Sequence, residues 1–236
     1  SSCKANPPLA RSLAFTSVAP GIEHAVFDAA GSPAFSGHAF IIDLKKVDVR
    51  LVPAGAPGDK RTVDVIAAAA PAHLASNASF FDETGKAMGR AVDGGKAIGS
   101  EKRSAWGALV IDQGVARIVL GDTLTPDKPG GDLVVQGLPR LVVDGDVPHL
   151  KPAVAERTAV CASGSTITLV VTGKADATDL AKFLALPKDK GGLGCTDALN
   201  FDGGPSTQLD VALPGMKLTL PGGWGVPNAL VAIPRP

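Results

Sequence analysis

Ala198 to Gln208 reads Ala-Leu-Asn-Phe-Asp-Gly-Gly-Pro-Ser-Thr-Gln and gathers more reactive groups than any other stretch of the chain. Its first half alternates apolar and polar residues, as a strand with one buried face does, so Asn200 and Asp202 share one face and Leu199 and Phe201 the other. Gly203, Gly204 and Pro205 then break the strand. Two glycines let backbone N–H groups approach a ligand without an intervening Cβ. Ser206 and Thr207 add hydroxyls. A carboxylate, an amide, backbone donors and two hydroxyls at one strand end suit a polar ligand. The same residues also suit a Gly-Pro turn whose aspartate caps itself.

Two other strand ends carry similar groups. Asn77 to Asp82 (Asn-Ala-Ser-Phe-Phe-Asp) follows an apolar run, and Glu156-Arg157 begins another. Arginine presents a planar fork of donors suited to phosphate or carboxylate. Carboxylates beside it can act as acid and base in glycoside or phosphodiester cleavage; the alternative is a structural ion pair of Arg157 with Glu156 or another acid. Competing chemistries lack their residues. The chain has no His-Glu-x-x-His, Gly-x-Ser-x-Gly or Gly-x-Gly-x-x-Gly pattern, and Gly89 to Lys96 misses both the spacing and the hydroxyl of a phosphate loop. The four histidines, His24, His38, His73 and His149, are scattered with no pair at ligand spacing.

The elements that must position these groups are mostly strands. With 28 glycines, 19 prolines, no tyrosine and 45% apolar residues, the chain favours many short strands around a sizeable core. Strands are expected at 21–28, 35–52, 73–80, 106–111, 115–120, 133–136, 140–143, 157–162, 166–172 and 228–233. Helices are expected at 62–70, with Thr62 as N-cap, and at 176–186. Residues 83–103 read as a long glycine-rich loop or a loose hairpin. The expected class is α+β, one strand-rich domain over 21–236 with mixed or antiparallel sheets, after an arm or linker at 1–20. The balanced charge, 23 basic and 23 acidic residues, gives no basic stripe for nucleic acid. No apolar run reaches the roughly 18 residues of a membrane span. Cys161 and Cys195 form a disulfide closing a loop of about 34 residues if their segments are neighbours, and are buried thiols otherwise. Cys3 lies in a polar start, Ser1 to Pro8, that reads as the stump left by a removed signal, which points to an extracytoplasmic protein, periplasmic, secreted or lipid-anchored at its N-terminus.

From about residue 20 onward the chain resembles the phosphodiester glycosidase domain family. The resemblance rests on five segments in order: Asn77 to Asp82, Ala91 to Gly99, Gln136 to Gly145, Glu156 to Ala159, and Gly194 to Thr207. Two departures stand out: Pro205 replaces a third glycine, and Ala78-Ser79 replaces Gly-Gly. The resemblance implies hydrolysis at an anomeric carbon linked to phosphate, with a carbohydrate or sugar-phosphate partner. It implies that Asp202 is acid/base or nucleophile and that Asn77 and Asn200 orient sugar hydroxyls. Arg157, Glu156, Gly203, Gly204, Ser206 and Thr207 would hold the phosphodiester, and Asp82 would be a second carboxylate or a ligand for a divalent cation. A phosphate-free glycosidase and a non-catalytic carbohydrate-binding or envelope module are the alternatives.

Overall fold

Alternation of apolar and polar residues turns 48% of the chain into strands, which pair antiparallel. The computed structural model describes residues 12–125 and 131–236. The first part runs β1 (Thr16–Ala19), β2 (Ile22–Ala29), β3 (Phe35–Asp43), β4 (Val47–Pro53), helix α1 (Val63–Ala67) and β5 (His73–Asn77). There follow β6 (Ala91–Asp93), β7 (Lys96–Ala97), β8 (Gly107–Asp112), β9 (Val115–Leu120), β10 (Leu133–Gly137) and β11 (Arg140–Val142). The long hairpin β12 (Val154–Ser163) and β13 (Thr166–Asp176) leads into helix α2 (Ala177–Ala185). The chain ends with β14 (Ala198–Asn200), β15 (Leu209–Leu213), β16 (Met216–Leu220) and β17 (Asn228–Pro234).

The strands form three sheets, ordered β1-β2-β3-β13-β12-β14-β11, β7-β6-β10-β8-β9 and β16-β15-β5-β17-β4. The main core lies where all three face one another. Phe40, Leu74, Leu109, Leu133, Leu169, Phe201 and Leu230 are wholly buried there. Period-two alternation sends intervening residues outward to smaller clusters. Val110 and Val134 pack behind the second sheet, and Ala75, Ala229 and Val231 pack against α1 behind the third.

Helix α2 covers the other face of the seven-stranded sheet. Leu180, Ala181, Phe183 and Leu184 are its buried side, and Phe183 stacks on Phe27 with centroids 4.4 Å apart. Asp176 caps it, accepting from the N–H groups of Thr178 and Asp179, which satisfies donors the first turn leaves open. Under this helix Cys161 and Cys195 form a disulfide, with Cα atoms 5.8 Å apart. Both cysteines are buried in the α2 cluster.

Several expectations change. The architecture is mainly β rather than α+β, because helix among the described residues is confined to α1, α2 and three single 3₁₀ turns. Only Asp176 to Leu186 combines a helical apolar period with a working cap. Thr62 does not cap α1 with its side chain; Gln208 Oε1 takes the Val63 N–H instead, at 2.9 Å. The stretch 35–52 is two strands, and within 83–103 β6 and β7 pair antiparallel, the hairpin of the two readings. The β15–β16 hairpin was not expected at all. Thr16–Ala19 pairs with β2, so the sheet reaches into the stretch read as an arm. Cys3 and the Ser1 to Pro8 start lie outside the described residues. Between β8 and β9 the chain turns at Gln113-Gly114, where both residues have positive φ, 48° and 74°, as a two-residue hairpin turn requires.

The 34-residue separation of the bridged cysteines sets the first prediction. Replacing both by alanine should lower unfolding stability by about 3–4 kcal/mol in the chain-entropy picture, read from urea denaturation. An unchanged midpoint would show that the bridge adds nothing to the packing beneath α2.

Candidate functional site

The ends of β5 and β14 meet the middle of β12, and Asn77 occupies the junction. Its side chain is fully buried. Asn77 Oδ1 accepts from the Thr158 hydroxyl at 2.7 Å and from the Gln208 N–H at 3.2 Å. Its Nδ2 donates to the Asp202 carbonyl at 2.7 Å. The Asp202 N–H donates in turn to the Ala78 carbonyl at 3.1 Å, and the Phe201 N–H to Thr158 O at 2.8 Å. These bonds stitch the third sheet to the seven-stranded one and set where β14 breaks.

At that break the Asp202 carboxyl is partly buried. Its Oδ1 accepts from the Gly203 N–H at 2.9 Å. Burial pushes the carboxyl above its ordinary pKa, while the Ser206 hydroxyl and the Gly203 N–H, both favouring the charged form, pull the other way. Burial wins. The turn that follows needs its glycines. A Cβ on Gly203 would lie 2.5 Å from the Glu156 carbonyl, and Gly204 has a left-handed φ of 58°. Pro205 is exposed within the short 3₁₀ turn Gly204–Ser206, and its carbonyl accepts from the Gly223 N–H at 2.8 Å.

Ser206 is fully buried, and Trp224 Nε1 donates to its Oγ at 2.7 Å. Gln208 holds the loop carrying that tryptophan: its Nε2 donates to the Trp224 carbonyl at 2.9 Å. Trp224 lies edge-on to Phe81, and Lys60 sits 5.3 Å from the Phe81 ring centre. The neighbouring Phe80 meets Trp106 edge-on, with Arg103 over that indole. Two aromatic pairs, each with a cation, therefore branch from the segment that starts at Asn77.

The candidates read from sequence are thus dispersed. Asn77 and Asp202 come together, but through the Asp202 backbone: the Asn77 amide is used inside the protein and cannot meet a sugar. Arg157 is buried on the α2 side of the sheet, the face it shares with Ala159 and Cys161. Its guanidinium donates to the carbonyls of Ala175 and Ala153. Burial lowers its pKa and the charge of Asp176 raises it again. It ties down the start of β12. Asn200 is buried too. Its Nδ2 clasps the Leu138 carbonyl at 2.9 Å, and its Oδ1 has no partner among the described residues.

Asp82 is exposed and caps its own turn, accepting from the Thr84 hydroxyl and from the N–H groups of Thr84 and Lys86. The Thr84 hydroxyl chiefly lowers its pKa. All three bonds go to Oδ1. Among the described residues no cluster of three or more His, Cys, Asp or Glu is arranged to hold a metal. Glu156 lines a separate cleft of about 310 Å³ with His38, Thr172, Thr207 and Pro221. The Thr207 hydroxyl is buried without a partner among the described residues.

Other partners were invisible in the spacing. His24 Nε2 and His38 Nδ1 lie 2.9 Å apart on adjacent strands, although the histidines looked scattered. Burial lowers the pKa of both, and for His24 the charge of His38 adds to it. His73 binds Asp210 at 2.5 Å behind the third sheet. Thr158, Gln208 and Trp224 were missed at the site. The one available signal was a tryptophan set in Pro221-Gly-Gly-Trp-Gly225, an apolar ring in a loop otherwise built to turn.

Truncating Asn77 strands a hydroxyl, an N–H and a carbonyl at once. At about 1–3 kcal/mol for each buried unsatisfied group, Asn77→Ala should cost at least about 3 kcal/mol. Calorimetry should show a melting temperature lower by roughly 6–12 °C. A shift under about 2 °C would mean that the amide does not organise this junction.

Comparison with known proteins agrees with this layout. The fold is similar to that of the zebrafish N-acetylglucosamine-1-phosphodiester alpha-N-acetylglucosaminidase catalytic domain, auto-inhibited by its pro-peptide. The TM-score is 0.72 at 20% identity, covering 95% of this chain and 87% of that one. A hypothetical protein from Synechocystis matches with a TM-score of 0.67 at 15% identity, over 98% of this chain and 64% of its own. An exported-protein candidate from Burkholderia pseudomallei matches at 0.51 and 14% identity, over 85% and 74%. No curated protein sequence matches the chain. The model of the phosphodiester glycosidase family matches residues 70–233, which take in Asn77, Thr158, Asp202, Gln208 and Trp224. The chain therefore belongs to the phosphodiester glycosidase family.

Proposed function

We propose that this protein hydrolyses a glycosyl-1-phosphodiester, breaking the bond between the anomeric carbon and the phosphate oxygen. Water adds to the anomeric carbon, the phosphate leaves as a phosphomonoester, and the free sugar is the second product. Asp202 takes the proton from the attacking water. The observation that carries this reading is the Asp202 carboxyl itself, partly buried at the junction of two sheets and accepting from the Gly203 N–H at 2.9 Å. A base works best when its pKa lies near the working pH, and burial moves Asp202 in that direction. The phosphate leaving group departs as an anion and needs no proton at neutral pH, so one carboxylate suffices. That suits a site from which Asp82 and Arg157 are turned away.

In this reading the exposed part of the Gly203-Gly204 turn faces the phosphodiester, and Lys60 over Phe81 supplies positive charge nearby. Arg157, Asn77 and Ser206 act from within the protein. The Cys161–Cys195 disulfide fits an oxidising compartment, so the substrate would be a glycan or glycoconjugate outside the cytoplasm. The relative whose name specifies an N-acetylglucosamine-1-phosphodiester suggests where a substrate panel should begin.

On a panel of glycosyl-1-phosphodiesters, Asp202→Asn should lower kcat by at least about 100-fold with the melting temperature unchanged. Because a base must be ionised, kcat/KM of the native protein should rise with pH through a limb above the ordinary carboxylate range, and the residual activity of Asp202→Asn should lack it. Near-native turnover by that variant would remove Asp202 from the mechanism. Equal turnover of phosphate-free glycosides would make the protein an ordinary glycosidase, and binding with no sugar released would make it a carbohydrate-binding module.

A further inference from the structure

The Pro221 to Pro227 strap is held to the Asp202 turn more firmly than a surface loop needs. The Gly223 N–H bonds to the Pro205 carbonyl at 2.8 Å, and Gln208 Nε2 to the Trp224 carbonyl at 2.9 Å. Gln208 is itself buried, with its Oε1 on the Val63 N–H at 2.9 Å. A Cβ on Gly222 would sit 2.6 Å from both Gln208 and the Pro205 carbonyl, so the strap is pressed onto the turn. What the strap presents is one indole. The Trp224 side chain is fastened at its edge by the 2.7 Å bond to Ser206 and leans at 76° on Phe81, yet the residue is 51% exposed.

We propose that Trp224 is a positioning and sugar-stacking residue of this site: its indole N–H fixes the Ser206 hydroxyl toward Asp202, and its open face receives the apolar face of the substrate's pyranose ring. The inference rests on the hydrolase reading for its substrate but not for its hydrogen-bond chain. Ser206 Oγ accepts from the indole at 2.7 Å, which leaves its single proton free to turn elsewhere, and the Asp202 carboxyl, whose pKa that hydroxyl draws down, lies in the same turn. The indole thus decides where the hydroxyl points without touching the reacting atoms. The stacking role follows from geometry of a different kind. A pyranose presents axial C–H groups on one face, slightly positive, and an aromatic face is electron-rich. A ring already locked on two sides loses little freedom when a sugar lands on it.

Two measurements separate the parts. With Trp106→Phe, Trp224 is the sole remaining tryptophan of the two. Its emission should then follow a pH transition that Asp202→Asn abolishes, and glucose 1-phosphate should quench it. In turnover, Trp224→Phe keeps a ring but loses the N–H. Its rising pH limb should move to higher pH, because the Ser206 donor no longer holds the charged form, and kcat should fall about fivefold with KM nearly unchanged. Trp224→Ala should raise KM by about a further tenfold. An emission transition together with no turnover on any glycosyl phosphodiester would sink the hydrolase reading and leave the Trp224–Ser206–Asp202 chain standing. Emission indifferent to Asp202, with an unmoved pH limb in Trp224→Phe, overturns the positioning role. Equal KM for Trp224→Ala and Trp224→Phe overturns the stacking role.

Discussion

The Asn77 amide sits where β5 and β14 end against the middle of β12, and its side-chain groups bind three separate segments. Thr158 comes from the seven-stranded sheet, Gln208 from the start of β15 and Asp202 from the exit of β14. A buried polar group costs little only when its hydrogen bonds are made, so this cluster tolerates one arrangement and penalises others. Strand register on both sides is thereby tied to the position of the Asp202 backbone. The large core supplies most of the favourable burial, but apolar packing alone would leave the two sheets free to slide by small amounts. The amide removes that freedom.

From this constraint the electrostatics of the site follow. Asp202 emerges at a junction already closed by Phe201, Ala78 and Thr158, so its carboxyl loses water on one side and its pKa rises. The Gly203 close approach to the Glu156 carbonyl and the left-handed Gly204 fold the chain back at once. That brings Ser206 beneath the carboxyl it serves. Pro205, which loses an N–H compared with glycine, offers its carbonyl to the Trp224 strap instead. On the far face, Arg157, Asn200, the disulfide and α2 form a separate region that stiffens the sheet behind the site. The chain thus divides its polar groups between a reactive edge and a structural back.

How far this was legible depended on the range of each interaction. Asp202, Gly203 and Gly204 could be read because a carboxylate and two glycines at a strand end carry their own local logic. α2 could be read because its period and its Asp176 cap are local as well. Parity left β12 open: Arg157 was read as a phosphate donor or a structural ion pair, and Thr158, one residue on, is the side chain that turns toward Asn77. Alternation tells which residues share a face and not which face meets the site. The irregular register between Ala155 and Arg157 weakens even that. Gln208 caps α1 from 145 residues away, and no spacing rule anticipates it. Leu209, Val211 and Leu213 did alternate before the Pro214-Gly215 turn, so the β15–β16 hairpin was readable from sequence. The α+β expectation overweighted two short helical stretches against a chain whose strands repeatedly pair as hairpins, as β2–β3, β8–β9, β12–β13 and β15–β16 do.

The central claim concerns which bond breaks, and isotopic water reports it directly. Hydrolysis of a glycosyl-1-phosphodiester in ¹⁸O water, followed by mass spectrometry of both products, locates the entering oxygen. Attack at the anomeric carbon, with Asp202 as base, places the label in the sugar hydroxyl and none in the phosphomonoester. Label in the phosphomonoester would mean cleavage at phosphorus, a phosphodiesterase reaction, and would contradict the account.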